Sequence, residues 1–229
     1  MTDNHHVFVI VAAHNEGRVI ESSIQPLVDR GYSVVVVDDA STDDTSARCR
    51  HLPVYLLRHP INLGQGAALQ TGMSFALRQG ARYLVHFDAD GQHRAEDIDV
   101  LVSPLRDGEA DVVLGSRFLR RADRDAVPVR RRLVLRVGVM VNGLLTGLWL
   151  SDAHNGMRAF TAGAAARIDL RENRFAHASE ILNQIRQSRL RCVERPTTIR
   201  YTEYSMEKGQ SALNGVKIVI DLLLRRIFR

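Results

Sequence analysis

Along the first half of the chain, short runs of apolar, largely β-branched residues alternate with segments in which apolar residues return every three or four positions. Val7 to Ala12, Ser33 to Val37, Val54 to Leu57, Tyr83 to Phe87 and Val112 to Gly115 are of the first kind and predict buried strands. Gly17 to Arg30 is of the second kind, through Val19, Ile20, Ile24, Leu27 and Val28. Helices are also predicted through Cys49, where Ser41-Thr42-Asp43-Asp44-Thr45 supplies N-cap chemistry, from Ala67 to Gln79, and around Ala95 to Leu105. Strands and helices that alternate over short connections require a mostly parallel sheet covered by helices on both faces. Ligand chemistry in such α/β sheets gathers at the C-terminal strand edges. Three sequence-distant polar clusters fall there: His14 to Glu16, Asp38-Asp39, and Asp88 to Asp90.

The second half is less regular. Leu133 to Leu150 reads as a mostly apolar helix interrupted by Arg136, Asn142, Gly143, Thr146 and Gly147. Asp152 to Phe160 reads as a loop entering a strand, Ala178 to Ser188 as a helix, and Cys192 to Tyr201 as extended chain. Ser211 to Phe228 predicts a final amphipathic helix with Asn214, Lys217, Asp221 and Arg225 in one polar stripe. No repeat or linker divides the chain, so one domain over residues 1–210 with a helical extension over 211–229 is expected.

Composition narrows the partners. The 229 residues are 45% apolar and 25% charged, ordinary for a globular protein able to bury a sizeable core. No stretch reaches the roughly 18 to 20 uninterrupted apolar residues of a membrane span, and the polar Met1 to His6 runs straight into a strand, unlike a signal peptide. Cys49 and Cys192 stand far apart without metal-type spacing, which suits a reduced, cytoplasmic setting. The net charge of +5 is concentrated in Arg117, Arg120, Arg121, Arg124, Arg130, Arg131, Arg132 and Arg136, with Arg225, Arg226 and Arg229 at the end. Such clusters suit anionic lipid or a phosphorylated substrate, or merely a solvated loop. Nucleic acid is disfavoured, because aromatics make up only 6% and none accompany the arginines in a strand.

The richest chemistry lies in Tyr83 to His93, where an apolar strand ends in Asp88-Ala89-Asp90 with His93 three residues on. Carboxylates and an imidazole at a strand edge suit a hard divalent cation such as Mg²⁺ or Mn²⁺ bridging the diphosphate of a nucleotide sugar. Asp38-Asp39 could bind a ribose or a base imino group. A nicotinamide enzyme would carry Gly-x-Gly-x-x-Gly after its first strand, but Ala12-Ala13-His14-Asn15-Glu16 stands there. The later Gly64-Gln65-Gly66 lacks a third glycine, since position 69 is Leu69.

Taken together, these motifs resemble the family 2 glycosyltransferases, in particular the dolichyl-phosphate mannose synthase and polyprenyl-phosphate sugar transferase branch. The resemblance is carried by Val11 to Glu16, Val36 to Thr45, Asn62-Leu63-Gly64-Gln65-Gly66, Asp88 to His93, Gly115-Ser116-Arg117-Phe118, Asp152 to Phe160 and the segment around Glu180, over roughly positions 7 to 215. It implies a GT-A fold, with a nucleotide-binding half over about 1–115 and an acceptor half over about 116–210. It places Ala12, Glu16 and Asp39 at the nucleoside, with Ala13, Asn15 and Asp38 beside them, and Gly66 and Ala89 along the donor. It further implies Asp88 toward ribose and metal, Asp90 as the main metal ligand and His93 completing the coordination. Glu180 would lie on the acceptor side, and Lys208 in a loop that closes over the donor phosphates.

The resemblance also frames the chemistry of transfer. Inversion at the anomeric carbon requires in-line attack opposite the nucleoside diphosphate, and a sugar hydroxyl acceptor needs a general base. Asp152 is the candidate base for that case. A lipid phosphate is already ionised and needs only cations to hold it, for which Arg117 and Arg131 are suited. The expected activity is therefore metal-dependent hexosyl transfer to a polyprenyl phosphate, with a saccharide acceptor in cell-surface polysaccharide assembly and a silent nucleotide-sugar-binding scaffold as alternatives. Peripheral contact with the inner face of a membrane through the arginine-flanked helices is expected, with a homodimer or a membrane-protein partner supplying firmer anchorage.

Overall fold

The computed structural model describes residues 4–120, 139–140, 143, 147–152, 155–173 and 176–200. Its elements are β1 (Val7–Ala13), α1 (Ile20–Asp29), β2 (Ser33–Asp38), α2 (Thr45–Cys49), β3 (Tyr55–Arg58), α3 (Gln65–Arg78), β4 (Tyr83–Asp88), α4 (Asp97–Arg106), β5 (Val112–Ser116), β6 (Arg158–Thr161), α5 (Ala162–Ala165), α6 (His177–Gln187) and β7 (Cys192–Pro196). They build one seven-stranded sheet in the order β3-β2-β1-β4-β6-β5-β7.

Every strand pair is parallel except those made by β6, which runs antiparallel to both β4 and β5. Val7 to Val11 are all but inaccessible because both faces of β1 are covered. Alternation sends Val7, Val9, Val11, Val34 and Val36 to the face under α1 and α4, where they meet Ile20, Ile24, Leu27, Ile98 and Leu101. Phe8, Ile10, Val35, Val37 and Leu84 face α3, α5 and α6, through Leu69, Met73, Ile181 and Ile185. Each such side chain contributes roughly 1.5–3 kcal/mol on burial, so the sheet is a rigid platform for the loops at its C-terminal edge.

The strand expected after Asp152 is present and inserts in reverse between β4 and β5, which makes the mostly parallel sheet a mixed one. One expectation changes. The predicted 133–150 helix stops early: Val139, Met140 and Gly143 are helical, but Gly147 to Leu150 are not. The cause is local, since Gly147 turns to a φ of +69° while its N–H bonds the Gly143 carbonyl at 2.7 Å, a C-terminal helix stop. No helix among the described residues is long and apolar enough to cross a membrane. Arg131, Lys208, most of the arginine cluster and the 211–229 helix lie outside the described residues.

Candidate active site

The loops after β1 and β2 are knitted together. The Asn15 N–H donates to Ser41 Oγ at 2.9 Å, the Glu16 N–H to Thr45 Oγ1 at 2.9 Å, and the Gly17 N–H to Asp43 Oδ2 at 2.9 Å. The Asn15 side-chain oxygen accepts the Thr42 N–H at 2.8 Å, and Asn15 itself sits at a φ of +55°. Ala12, Asn15 and Glu16 are half-buried along this edge.

Adjacent residues Asp38 and Asp39 have opposite fates, as period-two alternation demands. Asp38 is 0% exposed; its carboxylate accepts the Ser41 N–H at 2.8 Å and the Ser46 hydroxyl, fixing the entry to α2. The Asp38 carboxylate, expected beside the nucleoside, is thus engaged inside the protein. Asp39 faces α3 and gathers the Leu63 N–H at 2.9 Å, the Gly64 N–H at 2.6 Å and His59 Nδ1 at 2.8 Å. Burial alone would raise the Asp39 pKa, but these donors more than offset it and hold the carboxyl below its ordinary value. The side chains of Ala13 and Ala89 are at most 3% exposed in the core under α1 and α4, so either residue would meet a ligand through its backbone.

At the end of β4, Asp88 faces α3 and α6. Its Oδ1 accepts Gln65 Nε2 at 3.0 Å and its Oδ2 accepts His93 Nε2 at 2.8 Å. Its back is pressed against Gly156, where a Cβ would come within 2.1 Å of Oδ2. Burial opposes the Asp88 charge, but His93, Arg158 and His177 outweigh it and the pKa is lowered. The Asp90 side chain accepts the Gln92 N–H at 3.0 Å. Burial and the neighbouring Asp88 charge push its carboxyl up to about 6, with Glu16 adding to the repulsion.

That excess of negative charge fits a divalent cation. Among the described residues, however, no three His, Cys, Asp or Glu side chains stand together as a metal-ligand set. Of the expected trio of Asp88, Asp90 and His93, His93 bonds Asp88 through Nε2, and its buried Nδ1 has no hydrogen-bond partner among the described residues. A two-carboxylate set still suits Mg²⁺ or Mn²⁺, which commonly take one or two carboxylates and complete their shell with phosphate oxygens and water.

On the acceptor side, Arg117 and Asp152 close on each other. Nε and Nη2 of Arg117 donate to the two Asp152 oxygens at 2.6 and 2.8 Å, with the side chains 7% and 1% exposed. Glu194 of β7 holds the backbone beneath them, accepting the Ser151 N–H at 2.9 Å and the Asp152 N–H at 3.2 Å. Arg117, expected to hold a lipid phosphate, and Asp152, expected as base for a hydroxyl acceptor, are thus engaged with each other in a bidentate pair.

Glu180 is also a brace, its carboxylate accepting the backbone N–H groups of Arg171 and Glu172 at 3.1 and 2.9 Å. The strap it holds lies on Gly66, whose N–H donates to the Asn173 carbonyl at 2.9 Å and where a Cβ would meet the Glu172 carbonyl at 2.1 Å. Gly66 is small so that protein backbone can approach, rather than a ligand. The sequence reading missed Gln65, His59, Gly156 and Arg158. Gln65, Gly156 and Arg158 lie inside quoted motifs, whereas His59 carries no local signal. Arg158 is 4% exposed, lies across from His86 in the β4–β6 register, and has its pKa lowered to about 10 by burial against the pull of Asp88 and Asp152.

A parallel α/β half with acidic loops at its edge, joined to a second half through a reversed strand, is the GT-A architecture of glycosyltransferases. Glucosyl-3-phosphoglycerate synthase from Mycobacterium tuberculosis, solved with Mn²⁺, UDP and phosphoglyceric acid, superposes with a TM-score of 0.64 at 22% identity, over 96% of this chain and 78% of that one. The family described as glycosyl transferase family 2 matches residues 8–169, and the chain belongs to that family and is a glycosyltransferase. An uncharacterized protein of Methanocaldococcus jannaschii is 35% identical over 97% of this chain and 93% of its own. UDP-N-acetylglucosamine–dolichyl-phosphate N-acetylglucosaminyltransferase of Methanococcus voltae is 30% identical over 96% of each chain. Undecaprenyl-phosphate mannosyltransferase of Micrococcus luteus is 30% identical over 93% of this chain and 91% of its own.

Proposed function

We propose that the protein transfers a hexosyl unit from a UDP- or GDP-linked sugar to a polyprenyl phosphate, with inversion at the anomeric carbon. The observation that carries this reading is the Asp88–Asp90 pair at the end of β4, two half-buried carboxylates of which Asp90 is pushed up to about 6 by desolvation and by its neighbour's charge. Asp88 and Asp90 would hold Mg²⁺ or Mn²⁺, which supplies charge neutralisation for the departing nucleoside diphosphate. Gln65 and His93 fix the Asp88 carboxylate for that task. Ala12, Asn15, Glu16 and Asp39 line the nucleoside side.

The acceptor follows from the Arg117–Asp152 pair. A hydroxyl acceptor needs a base near the scissile bond, and Asp152 has both oxygens engaged by Arg117. A phosphate acceptor needs no base, and the two relatives named for dolichyl- and undecaprenyl-phosphate transfer favour it. Arg131 and Lys208 are the candidate cations for acceptor and donor phosphates, and the arginine-rich 117–136 stretch for peripheral contact with an anionic membrane.

The test is a thermal-shift panel of nucleoside diphosphates with Mn²⁺, followed by transfer from the selected nucleotide sugar to a polyprenyl phosphate. A ligand at a hundred times its Kd should stabilise the protein by about 2.7 kcal/mol, and Asp90→Ala should abolish both the metal-dependent part and turnover. Metal-independent turnover, or transfer to a saccharide hydroxyl in preference to the lipid phosphate, would overturn the reading.

A further inference from the structure

We infer that His59 is a positioning residue for the donor nucleoside, acting through Asp39 and the 62–64 turn. The inference rests on the reading that Asp39 contacts the nucleoside. His59 sits between three parts of the fold at once. Its main-chain N–H donates to the Asp38 carbonyl at 2.9 Å, at the end of β2. Its Nδ1 lies 2.8 Å from Asp39 Oδ1, and its Nε2 lies 2.9 Å from Thr71 Oγ1 in the middle of α3. The ring is buried, so these contacts are not exchanged with bulk water.

The consequence is geometric. A carboxylate offers about four acceptor positions, and at Asp39 three are filled from inside the protein: by Leu63 N–H, Gly64 N–H and His59. The Leu63 and Gly64 donors are successive backbone groups of one turn, and they can move with that turn. His59 is the donor tied to the regular structure, because Thr71 holds its far side. It therefore sets where the turn stands relative to β2, and leaves one acceptor position on Asp39 for a donor group of the ligand. A neutral ring satisfies both ends, with Nδ1–H donating to Asp39 and the Thr71 hydroxyl donating to Nε2. This places base recognition under the control of a side chain in the β3–α3 connection that bonds Asp39 and Thr71, whereas the diphosphate is served by the Asp88–Asp90 pair.

The separation of nucleoside from diphosphate supplies the test. Binding of UDP and GDP with Mn²⁺, and of Mn²⁺ with inorganic pyrophosphate, is measured calorimetrically on the full chain and on His59→Leu, His59→Asn, Thr71→Val and Asp39→Asn. His59→Leu should weaken the preferred nucleoside diphosphate about 10-fold, the lower range for a residue that orients a binding carboxylate, and leave pyrophosphate unchanged. His59→Asn, whose amide N–H can replace Nδ1, should recover most of that loss, and Thr71→Val should cost about threefold, less than a full hydrogen bond. Should His59→Leu fail to fold, the Thr71→Val and His59→Asn pair decides. Equal weakening of pyrophosphate, or no rescue by Asn, would reduce His59 to a structural part and overturn the inference. A loss in Asp39→Asn with none in the His59 and Thr71 variants would overturn it alone; no loss in Asp39→Asn would overturn the Asp39 reading and the inference with it.

Discussion

The carboxylates at the end of β4 and those beside β5 occupy the same sheet edge, and the protein treats them in opposite ways. Asp152 is closed off by a bidentate guanidinium and a backbone scaffold from Glu194. Asp90 is left with Asp88 and Glu16 as negative neighbours, and its carboxyl is pushed up to about 6. A buried acid that is fully paired is part of the architecture, whereas a half-buried one beside like charge gains most when something positive arrives. The contrast separates ligand-binding acids from framework acids better than the sequence motif does, because both kinds sit in equally conspicuous motifs.

The strongest way to break this comparison is Asp90→Asn. If Asp90 serves a cation on a leaving diphosphate, turnover should fall by about 10³-fold, equivalent to about 4 kcal/mol of transition-state stabilisation. Stability without ligand should move the other way. A raised carboxyl pKa means that the stabilising state is the protonated one, so the Asp90 contribution to wild-type stability is lost as pH rises from 3.8 through about 6. The asparagine cannot ionise, so its melting temperature should gain on wild type progressively across that window and exceed it at pH 7. A variant that loses stability along with activity would return Asp90 to the framework class.

Next in size is Arg117→Ala, which strips Asp152 of its partner in a site where both side chains are under a tenth exposed. An unpaired buried charge costs about 3–5 kcal/mol, to be read as a fall in the denaturant midpoint. The double change Arg117→Met with Asp152→Leu should recover most of it, since an apolar pair of similar volume is commonly neutral. Were Arg117→Ala mild and the double change no better, the pair would not be the closed unit described.

Much of this edge was legible in the sequence. The β-branched runs and their spacing placed β1 to β5 and the acidic loops after β1, β2 and β4, because buried parallel strands require continuous apolar residues. Alternation could also have distinguished Asp38 from Asp39: Val34 and Val36 face α1, Val35 and Val37 face α3, and the two acids continue that pattern. What no local pattern reveals is β6. Arg158 to Thr161 is a four-residue strand with a charged first residue, and its direction is set by partners more than 70 residues away in β4. For the same reason Arg117 and Asp152, 35 positions apart, read as independent groups until the fold closes them together. Motif resemblance ranked the residues by position, and only packing could say which of them were already engaged.

A smaller test concerns the space behind Asp88. Gly156→Ala puts a methyl where Oδ2 of Asp88 lies 2.1 Å away, so the carboxylate must move or the loop before β6 must back off. Overpacking of this kind costs about 1–3 kcal/mol in stability. Because Asp88 is displaced, kcat should fall further than the melting temperature suggests, while Arg117–Asp152 stays intact. Equal changes in activity and stability would mean that the loop, and not the carboxylate, gave way.

The smallest effect is expected at His86, which belongs to neither class. Its ring is 1% exposed, 5.0 Å from the Phe160 ring, and neither nitrogen has a hydrogen-bond partner among the described residues. Burial, with Arg158 and His177 nearby, drives its pKa well below 6.5, so the folded protein keeps it neutral while the unfolded chain takes up a proton. A depressed pKa contributes stability above the unfolded value that is lost as pH falls below it, and wild type should weaken from about pH 6.5 downward. His86→Leu removes both the unmet polar atoms and that slope. It should raise stability by about 1 kcal/mol at neutral pH, and by more at pH 5, measured by urea unfolding at both values. A loss of stability at both would mean that His86 is neither binding site nor idle framework but a working contact of Arg158, and the division of this edge into paired and unpaired groups would need a third member.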